Sequence, residues 1–157
     1  MTQRAFEDMV DWQCFACGRL NEHGLRIKSY WSGEDVVCTW RPDPLYVGHP
    51  ERLHAGLVAT IMLCHLAWAA TALAHRRLGL EIREPIDFFY GVKSFKMDIL
   101  KPFSIHRAVT IRAQVRDLEG DRATVVCSAH TEDEEHARGE AELFRFIPEE
   151  VPAEPGV

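Results

Sequence analysis

The chain has no cluster of basic residues. Its 157 residues include 18 Lys and Arg against 24 Asp and Glu, which gives a net charge of −6 at pH 7. The longest basic run is the pair Arg76-Arg77. Because a nucleic-acid-binding surface needs concentrated positive charge, we expect no nucleic-acid partner. A phosphate-bearing small molecule needs only a few local cations and stays possible.

The chain also lacks an apolar segment near its start. Residues 1–8 contain nothing like the core of a secretion signal. The longest strongly apolar stretch, residues 57–74, contains Cys64 and His65 and has helical spacing, which disfavours a membrane span. We therefore expect a cytoplasmic protein with no membrane partner. The five cysteines are an odd number, which favours reduced thiols in that compartment.

No internal repeat is present, and nothing in the composition divides the chain in two. A length of 157 residues and an apolar content of 46% suit one domain with one core. We predict a single domain over residues 1–148, with a short and partly helical extension within residues 1–13. Residues 149–157 are rich in proline and glutamate, and we expect a disordered tail there.

The spacing of apolar residues predicts several strands and one long helix. Strand patterns occupy residues 25–31, 36–40, 95–99, 109–116, 123–129 and 137–147. A helix is predicted from about Ala55 to Leu78, with Gly79 at its C-cap. Because this helix is apolar almost all round, it should be buried on most sides. The order favours an α+β fold in which an antiparallel sheet wraps one long central helix.

The start of that helix, His54-Ala55-Gly56, is a candidate binding site. It follows a proline-containing loop that also carries Gly48. Small residues at a helix start leave backbone N–H groups uncovered. Together with the helix dipole, these donors suit an anion, or a carbonyl oxygen that becomes negative during a reaction.

Three motifs carry a resemblance to a known family. Cys-Phe-x-Cys-Gly and Asn-x-x-Gly-Leu lie within residues 14–25, an aromatic-x-Gly-x-Pro loop leads into His-x-Gly over 46–56, and a strand over 95–102 ends in Lys-Pro. In this order they resemble the hotdog-fold thioesterase superfamily, most closely the branch of phenylacetate-pathway and medium-to-long-chain acyl-CoA thioesterases. The resemblance implies the hotdog fold, an acyl-CoA substrate, no cofactor or metal, and a homodimer or tetramer.

The same resemblance assigns roles at the helix start. In that family the thioester carbonyl docks on the backbone N–H of the residue after the histidine, which here is Ala55 instead of the usual glycine. His54 is implied to hold the turn through its hydrogen bonds and so to shape the site with Gly56. Gly48, in the preceding loop, is implied to lie against the substrate.

One residue departs from the family's chemistry. The carboxylate that activates water or attacks the thioester follows the histidine by nine residues, a position occupied here by Leu63. Leucine serves as neither base nor nucleophile, although it can line the substrate site. Two functions therefore stay open: an acyl-CoA thioesterase-like hydrolase, and a non-hydrolytic protein that binds acyl-CoA or a related thioester.

Several residues near Leu63 are candidates to replace its missing carboxylate. Glu51, in the loop before the helix, is a candidate base. Thr60 lies one turn before Leu63 and could orient a water, although a packing role is its simpler interpretation. Cys64 and His65 cannot form a nucleophile–base pair, because adjacent helix residues do not face each other. We expect Cys64 to be a small buried thiol beside the substrate, and Asp98 to point away from the helix.

The pair Cys14-x-x-Cys17 has the spacing of half a zinc site. A structural zinc needs two more ligands, and no second pair of Cys or His appears in the sequence. His23 and Cys38 are the nearest candidates. We predict a metal-free turn at this place, as the resemblance to the hotdog-fold thioesterases implies.

Overall fold

The computed structural model describes residues 3–148, and the predictions for residues 1–2 and for the tail over 149–157 fall outside this range. The helices and strands, in chain order, are a 3₁₀ helix (Phe6–Met9), β1 (Ser29–Ser32), β2 (Asp35–Trp40), a second 3₁₀ helix (Pro44–Tyr46), α1 (Ala55–Leu78), β3 (Phe89–Ile99), β4 (Val109–Glu119), β5 (Arg122–Thr131) and β6 (Glu134–Phe146).

The six strands form one sheet around one helix, as predicted. The strand order is β1-β2-β4-β5-β6-β3, and every neighbouring pair is antiparallel. Helix α1 packs against the sheet, mainly on β3, β4 and β5. By length and mean hydropathy α1 could span a membrane, but 67% of its most apolar 18-residue stretch is buried inside the fold. The helix is therefore the core of the domain.

The two ends of α1 lie where the sequence predicts them. His54 is the N-cap in an extended conformation, and Gly79 closes the helix with a φ of 68°. The Gly79 N–H donates to Arg76 O and the Leu80 N–H donates to His75 O. This left-handed ending favours glycine, because a Cβ is strained there.

The first predicted strand is wrong in its position. The structure has no strand over residues 25–28, and β1 begins only at Ser29. Arg26 has a φ of 54°, which interrupts an extended chain. Instead, the N–H groups of Leu25 and Ile27 donate to Phe15 O and Ala16 O in the N-terminal segment. Contacts with the N-terminal segment thus determine the conformation of residues 25–28. The alternation of apolar residues here resembles a strand pattern, which is why the sequence predicted a strand.

A buried polar chain links the N-terminal 3₁₀ helix to α1. The Ser29 N–H donates to Glu7 Oε2 at 2.7 Å, and Ser29 Oγ lies 2.6 Å from Glu7 Oε1 and 2.8 Å from His65 Nδ1. His65 Nε2 donates to Val36 O at 2.9 Å. All three side chains are almost fully buried. Burial raises the pKa of Glu7 and lowers the pKa of His65 to about 4.

The count of donors and acceptors along the hydrogen bonds from Glu7 through Ser29 to His65 indicates that the Glu7 carboxyl is protonated. With His65 neutral and its Nε2 proton given to Val36 O, the Nδ1 atom needs a donor. Ser29 has one hydroxyl proton for two acceptors, Glu7 Oε1 and His65 Nδ1. A proton on Glu7 satisfies both contacts, in agreement with its raised pKa.

Glu7→Gln is expected to keep the free energy of unfolding within about 1 kcal/mol of the parent, because the amide replaces the acid's donor and acceptor. Glu7→Ala should cost about 2–4 kcal/mol, since it leaves the buried Ser29 N–H without an acceptor and opens a cavity. Urea denaturation at neutral pH measures both. Equal destabilisation of the two variants would show that Glu7 is ionised in the folded protein.

Candidate functional site

The backbone at the start of α1 leaves one donor unused. The Gly56 N–H donates to Nδ1 of His54 at 2.9 Å, and the Leu57 N–H donates to His54 O at 3.0 Å. Within residues 3–148, the Ala55 N–H has no acceptor. The sequence suggested that both Ala55 and Gly56 offer an N–H to a ligand. In the structure the Gly56 N–H is used by the His54 cap, and only the Ala55 N–H is left for a ligand.

Two glycines fit closely around His54. A Cβ added to Gly56 would lie 2.9 Å from His54 Nδ1, and one added to Gly48 would lie 3.2 Å from His54 Cα. The His54 N–H is itself fixed by Tyr46 O at 2.9 Å. The imidazole is thereby held as a cap on the helix, in the structural role that the resemblance implies for it.

A cavity of about 700 Å³ opens beside the helix start. Its walls are Val47, Gly48, His49, Leu53, His54 and Ala55 on one side and residues 99–103, after β3, on the other. The volume lies within the usual range for small-molecule sites. The loop is tied to the far wall, because the Leu53 N–H donates to Phe103 O at 3.0 Å. Lys101 brings a positive charge to the cavity, although it also pairs with Glu134.

The structure places Glu51 and Thr60 outside this cavity. Glu51 is exposed and has a φ of 66°, and its carboxylate contacts Nε2 of the exposed His106 ring. The Thr60 hydroxyl donates to Gly56 O at 2.9 Å, one turn back in the helix. Neither side chain is directed by these contacts toward Ala55. In one subunit, therefore, neither is placed to activate a water there.

Leu63 lies on the incompletely buried face of α1. Gly56, Thr60 and Leu63 share this face by their spacing, and all three keep some exposure to solvent. Helix α1 contains no Asp or Glu, and none lines the described cavity. Asp98 is exposed, as predicted, and lies 3.9 Å from Lys96. The site as described therefore has one backbone donor without an acceptor, at Ala55, and no acid.

Cys64 lies in a cluster that the sequence did not indicate. Its Sγ is 3.8 Å from that of Cys14, and the sulphurs of Cys14, Cys17 and Cys64 all lie within 4.8 Å of one another. His23 and Cys38, the neighbours suggested by the sequence, are not members. Donation from the other two thiols holds the pKa of Cys14 far below its usual value, while the pKa values of its partners are raised. No local pattern reveals a contact across fifty residues.

Comparison with known proteins identifies solved structures with the same fold but no match at the level of sequence families. No family model matches the chain, and no curated protein matches it. A thioesterase superfamily protein from Shewanella loihica aligns at 21% identity over 79% of this chain and 94% of its own, with a TM-score of 0.63. The PaaI protein of the phenylacetic acid degradation operon of E. coli aligns at 14% identity over 78% and 80%, with a TM-score of 0.64.

A thioesterase from Haemophilus influenzae gives a similar result, with 16% identity over 78% of this chain and 80% of its own and a TM-score of 0.64. At these identities the likeness concerns the backbone arrangement alone. It matches the long helix packed on a six-stranded antiparallel sheet that the sequence predicts. The chain thus adopts the hotdog fold in the form found in solved thioesterase superfamily proteins.

Proposed function

We propose that this protein binds acyl-CoA thioesters beside the start of α1 and hydrolyses them. The observation that carries the proposal is the N–H of Ala55, which has no acceptor among the described residues and belongs to a residue that lines a cavity of about 700 Å³. A thioester carbonyl that accepts from this N–H would develop its negative charge at the positive end of the helix dipole. The thioesterase names of the structural neighbours support the same reaction class.

In the proposed reaction, each residue at the start of α1 has a separate role. Water attacks the carbonyl carbon, the tetrahedral oxyanion accepts from the Ala55 N–H, and the CoA thiolate leaves and takes up a proton to give the thiol beside the carboxylic acid. His54 touches no reacting atom in this scheme. It positions the first turn by accepting from Gly56, while Gly48 and Gly56 leave room for its ring.

A homodimer would complete this site. Strand β3 is an eleven-residue edge strand with one ladder unpaired among residues 3–148, and the nearby residues Ile99 and Leu100 are exposed. Long unpaired edges of this kind favour pairing with another chain. The open face of α1 with Leu63 would then meet the partner.

All five cysteines are free thiols, which supports a cytoplasmic location.

Binding without hydrolysis is the second candidate function. The observation that favours it is the absence of any carboxylate from α1 and from the described cavity. A protein of this kind would hold the thioester at Ala55 and release it intact.

A panel of acyl-CoAs distinguishes the two functions. Release of free CoA thiol is followed with the parent protein and with Gly56→Val, whose side chain would displace the His54 ring. Hydrolysis by the parent at roughly ten times the variant's rate or more supports the first function. Calorimetric binding with intact acyl-CoA recovered supports the second. A protein that neither binds nor hydrolyses any member of the panel contradicts both.

A further inference from the structure

The three thiols of Cys14, Cys17 and Cys64 have the spacing of ligands on one metal ion. Zn²⁺ binds thiolates at about 2.3 Å, and tetrahedral angles then separate two sulphurs by about 3.8 Å. Cys14 Sγ and Cys64 Sγ lie 3.8 Å apart, and Cys17 Sγ completes a triangle with no separation above 4.8 Å. Small side-chain rotations are enough to place all three sulphurs on a common centre.

The loop that carries two of these thiols is shaped to present them. The Gly18 N–H donates to Cys14 O at 2.8 Å and closes the turn that holds Cys14 and Cys17. A Cβ on Gly18 would lie only 2.4 Å from Cys14 N, so the turn accepts no side chain there.

Trp68 places a buried donor, without a partner among residues 3–148, beside the cluster. Its side chain is fully buried, and its indole N–H has no acceptor at ordinary hydrogen-bond geometry among the described residues. Trp68 follows Cys64 by one helical turn, on the same face of α1, and its indole N–H lies near the Cys17 sulphur. A buried donor without a partner is costly, and a metal-bound thiolate at Cys17 would accept from it.

We propose that Cys14, Cys17 and Cys64 form a three-thiolate site for a thiophilic cation, Zn²⁺ or Cu⁺, which ties the N-terminal loop to α1. Thiolates select these ions among the common biological metals. Binding exchanges three S–H protons for three metal–sulphur bonds and involves no change of oxidation state. Zn²⁺ would add a water as its fourth ligand on the part-exposed side, whereas Cu⁺ is satisfied by three sulphurs. This proposal departs from the metal-free turn expected from the sequence, and it does not depend on thioester chemistry.

Metal titrations of the full, reduced chain under anaerobic conditions test the site. Zn²⁺ and Cu⁺ are each titrated in competition with a chromophoric chelator of known affinity. Cys14→Ser, Cys17→Ser and Cys64→Ser remove one ligand each, and Cys127→Ser is the matched control, because that buried thiol lies outside the cluster. We expect one ion per parent chain, bound about 100-fold more weakly or worse by each ligand variant and unchanged in the control.

The Co²⁺ form of the parent protein gives a readout that needs no variant to fold. Sulphur-to-cobalt charge-transfer bands with the intensity of three thiolates support the site. Equal affinity in Cys14→Ser and Cys127→Ser, or no stoichiometric binding of either ion by the reduced parent, overturns it. A disulfide between Cys14 and Cys64, found by mass spectrometry in protein that binds no metal, would assign the cluster to redox chemistry instead.

Discussion

Replacing Ala55 with proline should lower acyl-CoA hydrolysis by about 10²–10³-fold, the usual cost of one oxyanion donor. Proline has no N–H, so the substitution removes the proposed donor itself. Ala55 is the first residue of α1, where proline is well tolerated. His54 has φ −63° and ψ 124°, an extended conformation that the residue before a proline readily adopts. The helix should therefore survive the change.

Ala55→Gly is the matched control, because it keeps the N–H and removes only a methyl group. Its rate should stay within a few-fold of the parent's, and thermal unfolding should show both variants folded. Since charge on the oxygen is greatest in the transition state, the loss in Ala55→Pro should fall mainly on kcat. A folded Ala55→Pro variant with the parent's kcat would show that the carbonyl binds elsewhere.

Leu63→Asp should raise hydrolysis by about 10²–10⁴-fold, the range of general-base contributions. The position lies on the open face of α1, and it is the place where the resembled family carries its acid. Leu63 keeps some exposure in the single subunit, so an introduced carboxylate need not be a fully buried charge. The rate of each variant is measured with the acyl-CoA that the parent turns over fastest, or binds most tightly.

Leu63→Asn separates the carboxylate from the change in size and polarity. The amide is nearly isosteric with the acid but is no base, so we expect no rise in rate. The gain in Leu63→Asp should also disappear in acid, when the carboxylate is protonated. An Asp variant that is folded and no faster than Leu63→Asn would mean that residue 63 does not face the thioester.

The sequence predicted best the features that depend on local patterns. The bounds of α1 and the cap at Gly79 both follow from residues within a few positions of each helix end. The order of strands and helix along the chain and the antiparallel pairing of the strands also agree. Such features are local because helix period, capping and tight turns each have their own residue preferences.

The features that the sequence missed depend on distant contacts. Residues 25–28 lie outside the sheet because their backbone N–H groups hydrogen-bond to the N-terminal segment. No pattern in the neighbouring residues indicates these hydrogen bonds. Cys64 meets Cys14 because α1 passes the same segment, and the buried chain from Glu7 to His65 has the same origin. At the helix start, only the packing of His54 shows which of two N–H groups is used by the cap.

The composition of α1 has an electrostatic consequence for its first turn. No charged side chain occurs between Ala55 and Ala74, whereas Arg76 and Arg77 stand in the last turn. The aligned peptide dipoles are therefore opposed by no acidic residue of the helix itself, and the two arginines balance their negative end. The contribution of α1 itself to the potential at Ala55 therefore comes from its backbone, which does not titrate, so this part of the pull on a carbonyl oxygen should not change with pH.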